Sequence, residues 1–87
     1  MISTVRRLAN ADAVVLGAHA ISESMRDDDV TFDDVRHLLA NADEVIAEDD
    51  TGLKWKVYGR LVNGADYAVV VNVHADHLYV ITCHNPP

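Results

Sequence analysis

Residues 53–84 read LKWKVYGRLVNGADYAVVVNVHADHLYVITCH. This stretch decides the fold. Leu53–Val62, Ala65–His74 and His77–His84 are rich in Val, Ile and Tyr, the mark of strands. Between the first two stands Asn63-Gly64, the strongest two-residue hairpin signal, because a type I′ turn needs positive φ at both positions. Ala75-Asp76 supplies a second, weaker turn. Glu44–Glu48 adds a short strand before them.

Upstream the pattern turns helical. Ile2, Val5 and Leu8 recur at helical spacing behind a possible Ser3 cap, which predicts a helix over residues 3–10. Residues 12–18 fit a short strand or a helix running on toward Met25. Either way a helix is expected from about Ala20 to Asp27. The best-signalled helix follows Thr31. Asp34 three residues on completes an acidic capping box, Val30 and Val35 occupy the staple positions, and Asp33 and Asp34 suit the positive end of the helix dipole. Phe32, Val35, Leu38 and Leu39 form its expected buried stripe, ending near Asn41. The fold class is therefore α+β, with N-terminal helices packed on a small antiparallel β-meander.

Eighty-seven residues make one domain, residues 1–87, with a helical half over about 1–42 and a sheet half over about 43–87. Such a chain buries somewhat over ~60% of its unfolded surface. Its 49% hydrophobic and 24% charged residues exclude a disordered tail. One cysteine, Cys83, excludes a disulfide scaffold. No apolar run approaches the ~18 residues of a membrane span, so no membrane contact is expected. No apolar segment follows Arg6 and Arg7, so no signal peptide is read and the expected address is cytoplasmic.

The net charge of −7 argues against nucleic acid until it is resolved by position. Residues 1–50 carry 12 acids and 4 bases; residues 51–87 carry 2 acids and 3 bases. The acidity is concentrated in residues 1–50.

Two tight turns would set the register by counting. Arg60 then faces Tyr67, and Tyr67 faces His84, across one end of the sheet. A cation, a phenol and an imidazole in a row suit acid–base and anion-binding chemistry. Lys54 and Lys56 extend the positive strip, Tyr58 offers a stacking surface, and Thr82 lies on the same face. Each residue also has a plainer role. Edge lysines guard against aggregation, Tyr67 can be core packing with its hydroxyl at the rim, and His84 can be solvated and idle.

Other constellations carry less. His74-Ala75-Asp76-His77 resembles a metal clip but lacks a third ligand, so no metal is expected. Cys83 falls on the expected core face as a small hydrophobe. The glycines are too dispersed for a phosphate loop.

His19-Ala20, Met25, Val30-Thr31, Asp34-Val35, Trp55-Lys56-Val57-Tyr58-Gly59-Arg60 and Leu78-Tyr79-Val80-Ile81-Thr82-Cys83-His84-Asn85-Pro86, in that order and spacing, resemble the domain of unknown function 4258 group, related to RelE/ParE-like toxins. The likeness spans about Ile2 to Pro86. It implies a RelE-like fold, a bacterial or archaeal source, and the toxin component of a toxin–antitoxin system, a metal-independent ribonuclease that uses no cofactor. Its implied partners are a cognate antitoxin or other protein, and RNA or the ribosome. By the resemblance His19 matches the His of His-Ala, Arg60 a basic residue after the central Gly, and Thr82 the Thr of Ile-Thr. His84 stands where the family usually has Tyr. Glu23 and Ser24 replace a usual Arg, and the His19–Met25 spacing is one residue longer than is commonest. The alternative is a non-catalytic interaction module or a homodimeric regulatory protein that kept the fold and lost the nuclease. His84, Arg60, His19 and Tyr67 are thus the candidate catalytic residues. Lys54, Lys56, Tyr58 and Thr82 are the candidate substrate-binding ones.

Overall fold

The computed structural model describes residues 1–86. Its elements are α1 (Ile2–Asn10), β1 (Val14–Leu16), a π-helix (Ala20–Met25), α2 (Phe32–Ala40), β2 (Glu44–Ala47), β3 (Lys54–Arg60), β4 (Asp66–Val73) and β5 (Leu78–His84). The five strands lie in the order β1-β5-β4-β3-β2. Strands β2 to β5 pair antiparallel in chain order. The sheet is nevertheless mixed, and not the pure antiparallel meander expected. Val14–Leu16 adds to the outer edge of β5 in parallel. It is anchored by Leu78 N donating to Ala13 O and Gly17 N donating to Val80 O, each at 2.8 Å.

Helix α2 is capped as its sequence predicts. Thr31 Oγ1 accepts from Asp34 N and Asp34 Oδ2 accepts from Thr31 N, both at 3.1 Å. The Thr31 amide, and further on the Val62 amide, hold the Asp34 carboxyl below its usual range. Val30 and Val35 are both buried, as a hydrophobic staple requires. Phe32, expected in the stripe, is 39% exposed. As the first helical residue it points away from the sheet, and Val35, Leu38 and Leu39 do the packing. Helix α1 starts at Ile2 with Met1 at its cap, so Ser3 is inside the helix and caps nothing. Its buried Val5, Leu8 and Ala9 meet α2. Arg6 Nε donates to Ala42 O at 3.0 Å and ties α1 to the exit of α2.

The helix expected over Ala20–Asp27 forms around a π-helical core. A π-turn holds one more residue than an α-turn, and the stretch between His19 and Met25 takes that form. This segment packs along β5 beyond the short β1. Gly17 makes the tight passage between them. A Cβ there would lie 2.7 Å from Val80 O and 2.9 Å from the Tyr79 hydroxyl. Gly17→Ala is therefore expected to cost about 1–3 kcal/mol by overpacking, read as a lower denaturant midpoint at unchanged slope.

The β3–β4 turn differs from expectation and changes every facing side chain on β4. Leu61 N donates to Ala65 O and Gly64 N to Leu61 O, both at 2.9 Å. The loop thus has three residues, Val62 to Gly64. Of Asn63 and Gly64 only Gly64 has positive φ, at 89°, as a bulged three-residue hairpin needs and a type I′ turn does not. Side chains hold this longer loop. Asp34 Oδ1 accepts from Val62 N at 3.1 Å and Asn63 Oδ1 from Ala65 N at 3.0 Å. The register is one residue from the expected one. Gly59 faces Tyr67, and Arg60 faces Asp66.

The second turn, at Ala75-Asp76, is as expected. His74 N donates to His77 O at 2.9 Å, and Val73 faces Leu78. Farther along, β5 bulges. Val71 faces Val80 but Val70 faces Thr82, so Ile81 is the unpaired residue. Beyond it Ala68, and not Tyr67, faces His84.

The helix-covered face of the sheet carries Val57, Tyr67, Val69, Val71, Leu78, Val80 and Cys83, all within the core cluster. Among the described residues no helix is long and apolar enough to cross a membrane.

Candidate functional site

The opposite sheet face follows from alternation and register. Its rows are Glu44–Tyr58–Ala68–His84 and Ile46–Lys56–Val70–Thr82, with Lys54–Asn72–Tyr79 beyond them and Arg60–Asp66 at the other end. Ala68 and Val70 are buried yet stand outside the core cluster. Their larger neighbours on this face shield them.

Arg60 and His84 therefore share a face, as expected, though by a different route. The longer β3–β4 loop turns β4 over relative to β3, and the Ile81 bulge turns the end of β5 back. Tyr67 is lost from the row. It lies in the core at 1% exposure, and its hydroxyl donates to Asp28 Oδ2 at 2.7 Å. Burial, then the Asp28 and Cys83 contacts, push its ionisation well above the ordinary phenol range. A buried phenol already donating its proton is not placed to act on a substrate at the open face. The expected Arg60–Tyr67–His84 row is thus replaced by Tyr58–Ala68–His84. Tyr58 and His84 flank a small residue about 10 Å apart in backbone terms.

The other predicted residues divide. Lys56 Nζ lies 5.4 Å from the Tyr58 ring centroid, a cation–π pair on one strand. Thr82 Oγ1 is 2.8 Å from Ser24 Oγ, which pins the π-helix to β5. Arg60 Nε sits 3.6 Å from Asp66 Oδ1, with both side chains well exposed. Lys54 is half-buried beside Asn72. His19 Nδ1 pairs with Glu23 Oε2 at 3.1 Å, one turn along the helical segment. That pair is local to the helix, and the hydrogen bonds and ion pairs join His19 to none of the open-face candidates.

His84 has a defined tautomer. Its Nδ1 is 3.0 Å from Asn85 O. A carbonyl only accepts, so Nδ1 carries the proton and Nε2 keeps its lone pair. Such a ring can take a proton at Nε2.

All of these features except His84 sit within residues 16–83, which match the family model described as Domain of unknown function (DUF4258). The chain belongs to that family. No curated protein and no solved structure matches it. Within this DUF4258 domain, sequence reasoning missed Ala68 as the residue standing between Tyr58 and His84. It also missed Asp66 as the partner of Arg60. Both follow from the β3–β4 register.

Two further groups were singled out from sequence. His74 and His77 stack at the β4–β5 turn, ring centroids 4.5 Å apart, and His77 Nδ1 is 2.7 Å from Asp76 Oδ1. Among the described residues, no group of three or more His, Cys, Asp or Glu is arranged to hold a metal. Cys83 is buried, and desolvation raises its thiol pKa.

Tyr67 and Cys83 together set an alkaline limit to stability. In the unfolded chain they ionise at their ordinary values of about 10 and 9. The folded state keeps both protonated longer, so the unfolded state gains as pH rises past those values. As far as these two groups act, stability should be level up to about pH 9 and fall beyond it. Denaturant unfolding at stepped pH checks this. The fall should be shallower in Tyr67→Phe and Cys83→Ala.

Proposed function

We propose that the open sheet face of this DUF4258 domain binds single-stranded RNA, and that the protein is a RelE-like, toxin-type ribonuclease acting without a metal. The observation that carries this reading is the Tyr58–Ala68–His84 row with Lys56 beside it, on the sheet face away from α1 and α2. Helices on one side of a mainly antiparallel sheet, with the other side open, also agree with a RelE-like arrangement. Both lysines and Arg60 project onto this face, beside Glu44 and Asp66. An aromatic ring beside cations is the usual platform for unpaired nucleotides.

The chemistry needs one proton shuttle and one cation. His84 Nε2 takes the proton of the ribose 2′-OH. The 2′ oxygen attacks phosphorus, and the bond from phosphorus to the 5′ oxygen breaks. His84 returns the proton to the leaving 5′ oxygen. The products are a 2′,3′-cyclic phosphate and a 5′-hydroxyl, so atoms and charge balance. Lys56 faces the charge that builds on the phosphorane oxygens. Lys54 and Thr82 flank the strand, and Tyr58 stacks on a splayed base.

The Arg60–Asp66 pair and the burial of Tyr67 favour a second reading, a non-catalytic interaction module on the same fold. The test is incubation of purified protein with single-stranded RNA in the presence of a chelator. Cyclic-phosphate ends that vanish in His84→Ala support the ribonuclease. RNA binding without cleavage selects the non-catalytic module.

A further inference from the structure

We propose that a cleft at the end of the open face is a guanine-specific subsite, an inference that rests on the RNA-binding reading above. The cleft has a volume of about 290 Å³ and is lined by Asp43, Tyr58, Asp66 and Pro86, with Gly59 and Tyr67 at its floor. Its position follows from register. Ala68 faces His84, and Asp66 and Pro86, each two residues beyond that pair, both line the cleft. The cleft is therefore one row, ~7 Å, from the Tyr58–Ala68–His84 row. Its volume is at the small end for ligand pockets and suits a single heterocycle.

The lining selects among bases by donor pattern. Tyr58 gives an aromatic wall, with Lys56 set against its ring. Two acidic residues line the cleft, and they differ. Asp66 is held by Arg60 at 3.6 Å. Asp43 is fixed through its main chain, Asp43 N donating to Tyr58 O at 2.9 Å, which leaves its carboxylate for a ligand. Asp43 also lines the adjoining cleft with Arg60, His37 and Asn41.

An ionised carboxylate only accepts hydrogen bonds. Guanine alone sets two donors side by side on its Watson–Crick edge, N1–H and the N2 amino group. Adenine and cytosine each put one amino donor beside a ring nitrogen lone pair, which a carboxylate opposes. Uracil has one N–H between two carbonyls. Asp43 therefore takes two bonds from guanine while Tyr58 stacks on its face. The scissile phosphate next to that nucleotide lies toward His84.

The experiment uses labelled uridine octamers with and without one central guanosine, titrated into the whole protein and into Asp43→Asn by fluorescence anisotropy. Guanosine should tighten binding to the wild type about tenfold or more, the discrimination of a good bidentate pair. Asp43→Asn, which has the same shape but presents a donor, should bring the two octamers within about twofold of each other. Equal and measurable affinity of the wild type for both octamers overturns the guanine subsite and leaves the RNA reading standing. A preference that survives Asp43→Asn also overturns it. Binding of neither octamer overturns both.

Discussion

His84→Ala is expected to lower RNA cleavage by about 100- to 10,000-fold, the ordinary worth of a positioned proton-transfer group. The fold should be untouched, because His84 is half-buried at the end of β5 and its side chain, among the described residues, bonds only to the neighbouring Asn85 carbonyl. The ratio of wild-type to variant rate, at matched RNA affinity, reads the effect. A loss of affinity with unchanged turnover would instead make His84 a binding residue. Arg60→Ala should do less, because Arg60 already shares its charge with Asp66 at 3.6 Å. This ordering, His84 well above Arg60, distinguishes the observed arrangement from the one the sequence suggests, where both stand beside Tyr67.

Tyr67→Ala is expected to cost about 3–5 kcal/mol of stability, the range for truncating a buried aromatic. Tyr67 is the largest fully buried side chain, it faces Gly59 on β3, and its hydroxyl reaches Asp28 just beyond the π-helix. Its loss removes packing and a tie between layers together. Tyr67→Phe separates the two. It keeps the ring and drops one hydrogen bond, so about 1–2 kcal/mol should go. Cleavage by Tyr67→Phe should stay near wild type, measured below its unfolding midpoint. A catalytic phenol would lose activity in that variant without losing stability.

Much of this was legible in the sequence. The Thr31–Asp34 capping box, the Val30–Val35 staple, the three long strands and the Ala75-Asp76 turn are local signals, and each formed where its residues stand. What sequence did not show depends on distant partners. The β3–β4 loop takes three residues where a carboxylate 28 positions upstream, Asp34, holds the Val62 amide. The Ile81 bulge has no Gly or Pro to mark it. Val14–Leu16 pairs with a strand more than sixty positions later, which no local pattern discloses. At the candidate site, each one-residue slip moves side chains to the other face. Two slips restored His84 beside the face of Arg60, and one removed Tyr67.

The central claim is that RNA binds the uncovered sheet face. Amide chemical shifts recorded during titration with a single-stranded RNA octamer test it most directly. Shifts concentrated at Lys56, Tyr58, Ala68, Thr82 and His84 are the predicted result. Shifts confined to α1 and α2, or none at saturating RNA, would contradict it.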